Sequence, residues 1–106
     1  MSNPLRIAVF GITGRMGKAL ISAIEESEDS TLVGACASPT SQSIGRSLRE
    51  LGARSDAKVS SDPAGALTDA AVAIDFSLPE ATQRNLEACL SAKRPIVIGT
   101  TGHTEA

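Results

Sequence analysis

The stretch Leu5-Arg6-Ile7-Ala8-Val9-Phe10-Gly11-Ile12-Thr13-Gly14-Arg15-Met16-Gly17 constrains this chain more than any other. A short run rich in Ile and Val stops at Gly11. Gly14 and Gly17 follow at three-residue spacing, and an amphipathic helical pattern begins. A strand, a tight turn and the amino end of a helix read this way. The first amide N–H groups of a helix have no intrahelical acceptor, and the helix dipole adds partial positive charge there. Glycines let the backbone come close to a pyrophosphate that a Cβ would push away. Gly11, Gly14 and Gly17 therefore shape a candidate phosphate loop, with Arg15 in reach of a phosphate or, in the plainer reading, solvated at the helix start.

The pattern downstream supports that placement. Met16, Ala19, Leu20, Ala23 and Ile24 recur at the spacing of one helix face. Glu25, Glu26, Glu28 and Asp29 mark its solvated far end, and residues 31–37 form a second apolar run, closing a β-α-β unit. Residues 38–55 are rich in Ser, Gly and Arg, with a short helix expected around 44–51 and a short edge strand at 58–60. Asp62-Pro63 starts a further short helix, Asp as N-cap and Pro at the first helical position. Residues 71–76 read as a strand. Ser77 and Glu80 have capping-box spacing, and Leu86, Cys89 and Leu90 give the following helix its core face. A last strand, 95–99, runs into Thr100-Thr101-Gly102. Alternating strands and helices predict an α/β fold: a Rossmann-type doubly wound parallel sheet, one dinucleotide-binding domain over residues 1–106. The sequence stops where another helix is due, so it reads as truncated before a further domain.

Composition removes several alternatives. No apolar run approaches the ~18 residues of a membrane-spanning helix, and Met1-Ser2-Asn3-Pro4 carries no signal-peptide pattern, so no membrane and a cytoplasmic location are expected. A formal net charge of −2 and the lack of Trp and Tyr argue against a nucleic-acid surface. Cys36 and Cys89 lie far apart without C-x-x-C spacing, which favours small buried apolar side chains over a disulfide or a metal site. Asp75, near the end of a buried strand, reads as a hydrogen-bonded structural carboxylate. His103, the single histidine, reads as a surface residue, with ligand contact as the sharper alternative. The sequence offers no Ser/His/Asp set, Cys/His pair or metal cluster, so catalytic and metal-binding residues are expected to be absent from it.

In an open parallel sheet the loops after the strands lie at the carboxyl edge, and ligands bind there where the strand order reverses. Those loops are Gly11–Gly17, Ala37-Ser38-Pro39, Phe76-Ser77 and Gly99-Thr100-Thr101-Gly102. Gly99 and Gly102 would let backbone approach a flat ring, while the Thr100 and Thr101 hydroxyls either bond that ring or simply cap the turn.

Three motifs, in order, carry a family resemblance: Ile7-Ala8-Val9-Phe10-Gly11-Ile12-Thr13-Gly14-Arg15-Met16-Gly17, Ile74-Asp75-Phe76-Ser77-Leu78-Pro79-Glu80-Ala81-Thr82, and Val97-Ile98-Gly99-Thr100-Thr101-Gly102. Together they resemble the 4-hydroxy-tetrahydrodipicolinate reductases, long called dihydrodipicolinate reductases, over nearly the whole chain. The resemblance implies an NADPH- or NADH-dependent oxidoreductase of lysine and diaminopimelate synthesis that reduces a cyclic dicarboxylate to tetrahydrodipicolinate. It implies that Gly11, Ile12, Thr13, Gly14, Arg15 and Met16 hold the pyrophosphate. Gly99, Thr100 and Thr101 would line the nicotinamide, with Phe76 and Ser77 nearby, in a full-length enzyme that is a homotetramer. Two departures matter. The family often has an acidic residue at the end of the second strand, where this sequence has Ser38. Without that carboxylate a 2′-phosphate is not repelled, so NADPH is expected to bind at least as well as NADH, with Ser38 and Arg46 near the phosphate. The family's substrate domain, with its histidine- and lysine-bearing motif, has no counterpart within residues 1–106, so weak cofactor binding without turnover is expected. A coenzyme-A- or nucleotide-binding module without catalysis is the alternative reading, since such modules also use a G-x-T-G-x-x-G turn. A scaffold serving only protein interaction is a third.

Overall fold

An apolar run without polar alternation has to be covered on both sides, and β1 (Leu5–Phe10) is. Ile7 and Val9 point into one cluster of buried side chains, Ala8 and Phe10 into another. The computed structural model describes residues 4–11, 15–37, 40–76 and 79–98. Within it β1 pairs in parallel with β2 (Ser30–Cys36) on one side and β3 (Val72–Asp75) on the other. β4 (Ile96–Ile98) pairs in parallel with β3, giving the order β2-β1-β3-β4. The layers follow from the two clusters. Ile21 and Ile24 of α1 (Arg15–Glu26), with Leu48 and Val59, cover the Ile7–Val9 face. Ala66 of α2 (Pro63–Ala66), Leu67, and Cys89 of α3 (Pro79–Ala92) cover the Ala8–Phe10 face. The sheet is parallel and wound on both sides, as the alternation of elements predicts.

Local signals worked where the determinant was local. Asp62 caps α2, its side chain accepting from the Ala64 amide at 3.1 Å, and Pro63 occupies the first turn. Gly34 lets α2 lie on β2: a Cβ there would land on the Ala66 carbonyl oxygen.

Four expectations are corrected. On α1 the buried stripe is Gly17, Ile21 and Ile24 with Leu20 half-buried, while Ala19 and Ala23 are exposed. An alanine methyl gains about 0.8 kcal/mol from burial, so the larger side chains set the helix rotation. On α3, Leu90 is 74% exposed, Cys89 and Asn85 are buried, and Leu86 is half-buried. The expected helix at 44–51 shrinks to a 3-10 turn, Leu48–Leu51. Gly45 at φ 85° interrupts it, and Ser47 starts the turn afresh by accepting from the Arg49 amide at 3.1 Å. Residues 58–60 form two isolated bridges, Ser60 to Cys36 and Lys58 to Ser47, rather than a strand. The Ser77–Glu80 capping box, the Met16 side chain and residues 99–102 lie outside the described residues. Among the described residues no helix is long and apolar enough to cross a membrane.

Candidate nucleotide-binding site

Register builds the site. Phe10 lies opposite Cys36 on one side and Asp75 on the other, and Asp75 lies opposite Ile98. All four strands therefore end in one row, Cys36–Phe10–Asp75–Ile98, and the loops after them leave the sheet level with one another. The chain goes from β1 to β2 on one side, then crosses back to β3 on the other. The order reverses between β1 and β3, the point at which open α/β sheets take ligands. Two backbone bonds fix the crevice mouth. The Gly11 amide donates to the Cys36 carbonyl at 2.9 Å, and the Phe76 amide donates to the Phe10 carbonyl at 2.9 Å. Gly11 sits at φ 82°, a left-handed conformation that disfavours a side chain.

Behind the row lies a small polar group in an apolar setting. Asp75 is fully buried, and the Asn85 side-chain amide donates to its Oδ1 at 3.4 Å. That bond ties the first half of α3 to the end of β3, the structural role expected of Asp75. Burial pushes the Cys36 thiol up to about 11, with the Arg84 cation pulling against it and the Asp62 and Asp75 charges adding to it. Burial and then Asp75 raise Cys89 in the same direction. Both thiols are free and buried, and thiols held protonated in this way are packing groups, not nucleophiles.

Of the predicted site residues, Gly11 and Phe76 stand at the mouth of the crevice, Phe76 half-buried. Arg15 and Met16 open α1, their side chains outside the described residues. Ile12, Thr13, Gly14, Ser38, Ser77, Gly99, Thr100 and Thr101 lie outside the described residues, as does His103. Arg46 is exposed, and its carbonyl accepts from Val59 at 2.9 Å. Sequence reasoning passed over two residues. Asn85 was detectable as a polar side chain four positions before Cys89, on the buried face of a helix. Arg84 was not, because only the fold brings it to the end of β2. There it overlooks an open cleft of about 480 Å³ between α2 and α3, whose lining includes Asp62, Pro63, Arg84, Glu87, Ala88 and Ser91.

The comparisons with known proteins agree with this fold. Residues 5–106 match the family described as dihydrodipicolinate reductase, N-terminus. The 4-hydroxy-tetrahydrodipicolinate reductase of Saccharophagus degradans is 41% identical over 103 residues, covering 95% of this chain and 38% of the relative. That of Alkalilimnicola ehrlichii is 45% identical over 103 residues, covering 95% of this chain and 39% of the relative. Among solved structures, a dipicolinate-bound dihydrodipicolinate reductase from Paenisporosarcina sp. TG-14 superposes with a TM-score of 0.71 at 25% identity, covering 93% of this chain and 38% of that one. The chain thus spans well under half the length of the relatives it matches.

Proposed function

Because the chain belongs to the dihydrodipicolinate reductase family, as its N-terminal part, we propose that it is the domain that holds NADPH or NADH for reduction of a cyclic dicarboxylate in lysine and diaminopimelate synthesis. One observation carries the reading: the level row of strand ends at the β1/β3 reversal, opened by Gly11 at φ 82°. A glycine without a Cβ at the start of that turn, with the amino end of α1 following it, suits a pyrophosphate. The bound nicotinamide supplies the hydride. The chain's own part is to grip and aim the dinucleotide. The turn after β1 takes the pyrophosphate through Gly11, Ile12, Thr13, Gly14, Arg15 and Met16. Phe76 and Ser77 after β3, with Gly99, Thr100 and Thr101 after β4, would flank the nicotinamide. The Asp75–Asn85 bond keeps α3, and so the start of the Phe76 loop, in fixed relation to β3. The dipicolinate-bound relative from Paenisporosarcina supports a pyridine-type dicarboxylate as the hydride acceptor's class.

Ser38 in place of a carboxylate favours NADPH at least as much as NADH. Calorimetric titration of the 106-residue chain with NADPH, NADH and coenzyme A tests both statements. NADPH at least as tight as NADH, with no heat from coenzyme A, is the expected result. Coenzyme A binding without either pyridine nucleotide overturns the reading in favour of a non-catalytic module, and a clear NADH preference overturns the cofactor order.

A further inference from the structure

Ser38 after β2 brings no carboxylate to repel a 2′-phosphate, but an absent repulsion is not an attraction supplied. A 2′-phosphate on the adenosine ribose needs a cation at the end of β2. The fold provides one from a distant part of the chain. Ser60 is stitched to the end of β2 by two backbone bonds, its amide to the Ala35 carbonyl and the Ala37 amide to its carbonyl, both 2.9 Å. The next residue, Ser61, accepts at 3.3 Å from Nη2 of Arg84, on α3 and 23 positions later in sequence. The guanidinium is thereby anchored over the outer flank of the β2 end, and its charge is felt at the Cys36 thiol, the last residue of the strand. The side chain is exposed, and no carboxylate forms an ion pair with it among the described residues. Two acids line the same cleft, and each has another partner: Asp62 turns its carboxylate to the Ala64 amide as the α2 cap, and Glu87 accepts from the Gln83 side-chain amide at 3.0 Å. A planar fork bonded at Nη2 to the Ser61 carbonyl, with no carboxylate paired to it among the described residues, suits a phosphate monoester, which it can grip through two parallel bonds.

We infer that Arg84 is the specificity residue for NADPH, its guanidinium reading the adenosine 2′-phosphate at the end of β2 in the role that an arginine directly after that strand would otherwise fill. The inference rests on the pyridine-nucleotide reading above and deepens it.

The test is titration of the 106-residue chain and its Arg84→Gln, Arg84→Lys and Arg6→Gln variants with NADPH, NADH and 2′,5′-ADP, each variant first shown folded by circular dichroism. Arg6, exposed near the start of β1 and so at the amino ends of the strands, controls for net charge. Arg84→Gln should weaken NADPH and 2′,5′-ADP about ten-fold, the worth of a charge-assisted hydrogen bond, and leave NADH within about two-fold. Arg84→Lys should fall between, and Arg6→Gln should change nothing. Equal weakening of NADPH and NADH, or no change in either, overturns the assignment while leaving the nucleotide site intact. Failure of the unaltered chain to bind any of the three overturns the functional reading itself.

Discussion

A glycine in the middle of a strand has no side chain to pack and loosens the strand, so its presence there signals close approach by another backbone. Gly34 fits that rule, since a Cβ would meet the Ala66 carbonyl. Gly34→Ala should push α2 off β2 and cost about 1–3 kcal/mol, read as a lower urea midpoint with an unchanged slope. The position was legible in principle from its place in an apolar run; which helix presses on it was not, because α2 comes some thirty residues later. Cys36 carries a second residue-level expectation, now in pH. Its thiol shifts from 9.0 to about 11 in the fold, so the folded chain holds this proton more tightly than the unfolded chain. The stability linked to it is whole below pH 9 and is lost as pH rises through 11. A difference of that size amounts to about 2–3 kcal/mol. Urea unfolding from pH 8 to pH 11 should show that loss in the unaltered chain and a flatter profile in Cys36→Ala. Parallel profiles would refute it.

Caps and faces differ in how far their causes reach along the chain. Asp62-Pro63 could be read as a helix start because a cap depends on two or three neighbours. The faces of α1 and α3 could not be read so well. Ala19, Ala23 and Leu90 satisfy helical spacing, but the rotation of each helix is settled by what it meets: Ile21 and Ile24 against β1, Asn85 against Asp75. The far end of α3 shows an element solving its own termination with a poor residue. The Lys93 amide donates to the Leu90 carbonyl at 3.2 Å and the Arg94 amide to the Cys89 carbonyl at 2.8 Å, the paired bonds of a left-handed helix stop. The left-handed position, φ 58°, is held by Lys93 rather than glycine. Arg94 then locks the turn in place, its Nε donating to the Ala70 carbonyl at 2.6 Å. Lys93→Gly should relieve the backbone at some cost in unfolded-chain entropy, for a net gain of about 0.5–1 kcal/mol. A higher melting temperature is the expected reading, and a lower one would mean that the lysine side chain contributes more than its backbone costs.

At the scale of the whole molecule, alternation of apolar runs and helical stretches was enough to predict a parallel, doubly covered sheet. Level strand ends were not predictable, because register depends on every ladder at once. The same ladders leave an imbalance. β1 is buried between two neighbours, but among the described residues β4 has a partner only in β3. Val97 is 58% exposed, Ile98 43% and, on the adjoining helix, Leu90 74%. An apolar strand with an unpaired side is a template for another strand, and burying such side chains against a second copy gains roughly 1.5–3 kcal/mol each. The 106-residue chain, studied by itself, should therefore self-associate through β4 as its concentration rises. Val97→Lys places a charge on that strand at an exposed position, where it should leave the melting temperature nearly unchanged and suppress association. Sedimentation velocity across a concentration series separates the outcomes. A sedimentation coefficient that climbs with concentration for the unaltered chain and stays flat for Val97→Lys is expected; identical, concentration-independent profiles would refute an associating β4 face.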